Sequence, residues 1–125
     1  MNRHTLTFTA LPEHIDELGH VNNAVWVDWI QQIATAHWGA VASPEHQATY
    51  IWVVTRHEID YRGNIALGES VRGETFIPSA PSGARLVVSY FFCARSKIGY
   101  SCQSDHCTGF GLIFYISYSD FNSLI

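Results

Sequence analysis

Residues 23–38, NAVWVDWIQQIATAHW, restrict the fold more than any other segment of the chain. Asp28, Gln31, Gln32 and Thr35 fall at i, i+3, i+4 and i+7, so an α-helix gathers them into one narrow stripe. The positions around that stripe are apolar, Trp26, Trp29, Ile30, Ile33 and Trp38 among them. A surface helix has the reverse proportions, one apolar stripe on a polar body. The segment therefore predicts a helix wrapped by the rest of the domain over most of its circumference. Gly39 is expected to end it, with Pro44 in the loop that follows.

The wrapping material reads as strands. Residues 5–10 (TLTFTA) alternate strictly, with Leu6, Phe8 and Ala10 on one face and three threonines on the other. Further strands are expected over residues 50–61, 69–77, 84–95 and 110–118. The fourth, with Leu86, Val87, Val88, Tyr90, Phe91 and Phe92, has the β-branched and aromatic content of a central or interfacial strand. YRGNIALG, with Gly63 and Gly68, reads as a turn or bulge, and residues 42–49 as a loop. One helix among several strands gives an α+β class, a long buried helix on a mostly antiparallel sheet.

A chain of 125 residues fits a single domain, residues 1–125, able to bury roughly two thirds of its unfolded surface. At 47% hydrophobic and 14% charged it has apolar material to spare for a pocket or an interface. The net charge of −4 and seven scattered Lys and Arg exert no general pull on a phosphate backbone, so nucleic acid is not an expected partner. Three cysteines, an odd number, predict no disulfide framework. The first residues lack the apolar core of a secretory signal, and no apolar run has bilayer length. A cytoplasmic protein without membrane contact is expected.

Directly before the helix stands DELGHVNN, residues 16–23. A helix that begins near Asn22 or Asn23 has an asparagine available as N-cap, and its first backbone N–H groups lack intrahelical partners. Those donors and the helix dipole stabilise negative charge, as an oxyanion hole does for a thioester or ester carbonyl. Asp16 would supply the base or nucleophile, and the apolar wall beyond would bury an acyl chain or ring. On spacing alone, the same residues also serve as ordinary loop and capping residues.

DELGHVNNAVW, followed about thirty residues later by RHEIDY and then ALGE, resembles the 4-hydroxybenzoyl-CoA thioesterase family of hotdog-fold acyl-CoA thioesterases. The resemblance covers about residues 5–95. It implies the hotdog fold, an antiparallel sheet wrapped around one long central helix, assembled as a homodimer or homotetramer. It implies acyl-CoA as substrate and no metal or organic cofactor. Asp16 matches the family's catalytic aspartate, acting as nucleophile or through a water, and the Asn23 backbone N–H would polarise the thioester carbonyl. Gly19, His20, Val21 and Asn22 match the rest of the motif. His20 is read as a structural residue that hydrogen-bonds the loop in preference to a base. Trp26 stands where the family usually has tyrosine, either narrowing the pocket or filling core.

The chain departs from the family at His14, where many members carry an aspartate, and in lacking a proline within YRGNIALG. After Ser96 the text no longer follows the family's usual strands, as an altered coding frame would produce; the gene's nucleotide sequence tests that origin. Cys102, Asp105, His106 and Cys107 lie there, but a C-x4-C spacing beside one histidine is not a zinc pattern. Arg56, Arg62, Arg85, Arg95 and Lys97 are candidates for the CoA phosphates. The rival readings are a non-catalytic hotdog module that binds an acyl group or a partner, and a thioesterase acting on acyl-carrier-protein.

Overall fold

The computed structural model describes residues 3–59, 61, 63–77, 85–94 and 112–120. Five strands, β1 (Arg3–Thr9), β2 (Tyr50–Ile59), β3 (Ser70–Phe76), β4 (Arg85–Ala94) and β5 (Leu112–Asp120), form one sheet in the order β1-β3-β4-β5-β2. Every neighbouring pair is antiparallel. Each strand lies within two residues of its expected bounds, and β4 is the central one. β5 falls inside the stretch that departs from the family's usual text, yet it pairs with both β4 and β2. The ladder between β2 and β5 shifts register between Val54 and Arg56, a bulge in the edge strand.

Helix α1 (Asn23–Val41) crosses one face of this sheet and packs chiefly on β1 and β3. Trp26, Trp29, Ile30, Ile33 and His37 are buried, at helical spacing. The expected polar stripe is exposed, and Gln32 Nε2 donates to Asp28 Oδ2 at 2.8 Å along it. The wrapping is narrower than the sequence suggests. Val25, Val27, Ala34, Ala36 and Trp38 flank the buried stripe and are only half-buried within the chain.

Gly39 does not end the helix. A terminating glycine takes a left-handed conformation, and among the described glycines only Gly19 and Gly68 have positive φ. Ala42 caps the end, its N–H donating to the Trp38 carbonyl at 2.9 Å. The expected loop that follows contains a short helix, α2 (Pro44–Thr49). Proline suits a first helical position because its missing N–H is not needed there, and Ser43 Oγ accepts from the His46 N–H at 3.2 Å.

The core joins Val21, Trp26, Trp29, Ile30 and Ile33 to Ala10, Ile65, Val71 and Phe92. Leu6, Gly73 and Phe92 lie in register across β1, β3 and β4, with Ile33 above them. A Cβ at Gly73 would overlap Ile33 Cδ1 and come within 2.8 Å of Phe92 Cε1. The absent side chain is what lets helix and sheet approach. Gly73→Ala is therefore expected to destabilise the fold by about 1–3 kcal/mol through overpacking, measured as a lower urea midpoint with an unchanged slope.

His37 is 4% exposed and its ring stacks on that of His4 at 5.7 Å. Burial, and secondarily the charge of His4, holds its pKa below the ordinary 6.5. The unfolded chain thus binds more protons than the fold once pH drops below 6.5, so stability is full above that value and declines as pH falls toward the folded pKa. Urea midpoints at pH 7.5 and 5.5 should differ in that direction, and by less in His37→Phe. An equal difference in both proteins would exclude His37 as the source.

Cys93 is 1% exposed in β4. No helix among the described residues is long and apolar enough to cross a membrane.

Candidate active site

The loop before α1 is built around one carboxylate. Asp16 Oδ1 accepts from the Leu18 N–H at 2.9 Å and from the His20 N–H at 3.2 Å. The Asp16 N–H donates to the His20 carbonyl at 2.8 Å, and the Gly19 N–H to the Asp16 carbonyl at 3.1 Å. Closing so tight a loop requires φ of 78° at Gly19, a left-handed conformation that a side chain would disfavour. Asp16 is half-buried, and its Oδ2 has no hydrogen-bond partner among the described residues.

Two anchors tie this loop to the domain. Val21 is fully buried and forms an isolated bridge with Ile15, and its N–H donates to the Ile65 carbonyl at 3.2 Å. Asn64 Nδ2 donates to the Val21 carbonyl at 3.1 Å, while Asn64 Oδ1 accepts from the Ile65 N–H. Asn64 and Ile65 thus lie against the motif. The second anchor is the 3-10 turn Pro12–His14, whose His14 carbonyl accepts the Asn22 N–H at 2.9 Å.

Asn22 is the N-cap. Its Oδ1 accepts from the Ala24 N–H at 2.9 Å, and its carbonyl accepts from Val25 and Trp26. The Asn23 N–H is thereby left as the donor of the first turn with no partner among the described residues. Such a donor at the positive end of a helix dipole is suited to an oxygen that gains charge.

Ile15, Asp16, Glu17, Leu18 and Asn22 line an open depression of about 420 Å³. Leu18 is 80% exposed at its rim. His20 is exposed and joins the loop through its backbone N–H and carbonyl. Trp26 is 1% exposed and packs edge-on against Trp29 and Phe92, at 5.1 and 5.0 Å, as core.

The sequence reading did not assign site roles to His14, Tyr61 or Asn64. The Tyr61 hydroxyl donates to the Asn23 carbonyl at 3.4 Å, and burial raises its pKa above the ordinary 10. Tyr61 ends the RHEIDY block, so the pairing of the two sequence blocks was its available signal. Of the cations considered for CoA, Arg62, Arg95 and Lys97 lie outside the described residues, and Arg56 and Arg85 are described only as members of β2 and β4. Cys102, Asp105, His106 and Cys107 also lie outside them.

Comparison with known proteins agrees with this architecture. Residues 10–120 match the model of the thioesterase-like superfamily, so the matched stretch runs past Ser96 and through β5. No curated protein sequence matches. The chain is similar in fold to Staphylococcus aureus SAV2348, solved in complex with CoA (TM-score 0.75, 14% identity, 95% of this chain and 71% of that one). It is similar also to the DHNA-CoA thioesterase of Staphylococcus aureus (0.74, 14%, 94% and 74%). A third likeness is to a Thermus thermophilus thioesterase complexed with coenzyme A and Zn (0.69, 20%, 90% and 81%). The shared architecture is the hotdog fold, and the match is broader than the 4-hydroxybenzoyl-CoA branch that the motifs resemble. From its helix-wrapping sheet and the match over residues 10–120, the chain belongs to the thioesterase-like superfamily.

Proposed function

We propose that the protein is an acyl-CoA thioesterase. The observation that carries this reading is that one short segment holds both a loop-locked carboxylate and, at the helix start, an uncommitted donor. Asp16 has one oxygen engaged by two N–H groups and the other without a partner among the described residues, and Asn23 presents the unused N–H of the first helical turn. In this reading the thioester carbonyl oxygen accepts from the Asn23 N–H, which stabilises the charge it gains. Asp16 either attacks the carbonyl carbon or removes a proton from an attacking water. Collapse of the adduct expels the CoA thiolate, which takes up a proton to become the thiol; after direct attack a water then hydrolyses the acyl–Asp16 anhydride and restores the carboxylate, so both routes release the acyl group as a carboxylic acid. A thioester is already activated for acyl transfer, so no cofactor is assigned.

CoA is favoured as carrier because two structures of similar fold were solved with it bound. Gly19, Val21 and Asn22 shape the loop and cap in this assignment, and His20 closes it through its backbone. Trp26 supports the helix start from the core side. We further propose a homodimer or homotetramer: Leu18 at 80% and Leu67 at 57% exposure are apolar surface that a second copy would cover. A cytoplasmic location accords with this substrate.

The test is release of free thiol from short, long and aromatic acyl-CoAs and from the same acyl groups on acyl-carrier-protein. Turnover of CoA thioesters with a clear acyl preference supports the reading. Faster turnover of the carrier-protein thioesters reassigns the carrier. Acyl-CoA binding without release of thiol would replace the enzyme reading with a binding module.

A further inference from the structure

His14 is half-buried in the turn before the motif, and three contacts converge on it. Its ring Nδ1 accepts from the Leu11 N–H at 3.0 Å. Its ring packs perpendicular to that of Trp29 at 5.3 Å, against the buried side of α1. Its carbonyl accepts from the N–H of Asn22, the residue that caps α1 and fixes which helix donor stays free. The contact to Leu11 is the reach-back half of a capping box, with an imidazole where Glu or Gln usually stands. It reinforces the Pro12–His14 turn, which backbone bonds from the His14 N–H to the Leu11 carbonyl (2.9 Å) and from the Ile15 N–H to the Pro12 carbonyl (3.3 Å) also close, and the turn sets where the His14 carbonyl points.

We propose that His14 is a positioning residue for thioester cleavage, acting through the Asn22 cap on the Asn23 donor. The assignment rests on the thioesterase reading above. The ring touches neither Asp16 nor Asn23 in any hydrogen bond described, so its action is indirect: it holds the turn, the turn holds the cap, and the cap orients the donor. Nδ1 must carry a lone pair to accept from Leu11, which fixes the neutral ring as the Nε2–H tautomer. An oxyanion donor is effective only when it is aimed at the developing charge, and small misplacements are costly in rate. The effect therefore belongs to kcat more than to KM.

Two substitutions separate the acceptor from the ring. His14→Phe keeps an aromatic ring on Trp29 and removes the acceptor. His14→Asn removes the ring and places a carbonyl oxygen near the Nδ1 position. We expect kcat to fall on the order of 10- to 100-fold in His14→Phe with KM near the parent value, and His14→Asn to stay within about threefold of the parent. Amide exchange at Asn22 should quicken in His14→Phe and not in His14→Asn. Equal kcat in parent and His14→Phe, equal losses in both variants, or unchanged Asn22 exchange in His14→Phe overturns the assignment and leaves the thioesterase reading standing. A parent that cleaves no thioester overturns both, and it shows this before either variant is compared.

Discussion

Asp16→Asn is expected to lower kcat for acyl-CoA hydrolysis by about 10²- to 10⁴-fold while fold and assembly stay as they are. The loop geometry makes this substitution informative. An asparagine carbonyl oxygen can still accept from the Leu18 and His20 N–H groups that Asp16 Oδ1 now serves. What disappears is the charge, and with it both basicity and nucleophilicity. Asp16→Ala would remove the loop acceptor as well, and a loss of rate there would not distinguish chemistry from collapse of the turn. Thiol release, circular dichroism and size-exclusion chromatography on parent and Asp16→Asn suffice. A folded variant within threefold of the parent would remove Asp16 from the chemistry.

The largest effect on stability is expected from Trp26→Ala. The indole is 1% exposed and sits between Trp29 and Phe92, joining the first turn of α1 to the central strand β4. Deleting it removes apolar burial and leaves a cavity that rigid neighbours fill poorly, at a cost of about 3–5 kcal/mol. In a domain of this size the thermal midpoint should fall by roughly 10–20 °C. Urea unfolding followed by tryptophan fluorescence and circular dichroism measures it. A loss below about 1 kcal/mol would mean that the site relaxes around the gap and that Trp26 is not the keystone of this core.

Features governed by neighbours in sequence were legible before the structure. The Asp16 loop closes through groups within four residues, and Gly19 is the glycine that its left-handed corner needs. The Asn22 cap is local too. Features set by distant partners were not. Asn64 reaches Val21, and Tyr61 reaches Asn23, only because a later segment folds against the loop. His14 stood out as a departure from a family pattern, but its partners Leu11, Asn22 and Trp29 come together only in three dimensions. Gly39 misled because a glycine stops a helix only when its backbone turns left-handed, which composition does not reveal. The half-buried flanks of α1 show the same limit: apolar positions mark what prefers burial, not what within one chain provides it.

The sheet order β1-β3-β4-β5-β2 has a consequence for how the protein emerges from a ribosome. β2 follows α2 directly in the chain, but its only sheet neighbour among the described residues is β5, spelled by residues 112–120. At about 5–20 residues per second, β2 waits for seconds with both edges open before its template exists. β1, β3 and β4 can pair in that interval, so the half of the sheet beneath α1 can assemble as translation proceeds. The other half closes only when the final strand is delivered between β4 and β2.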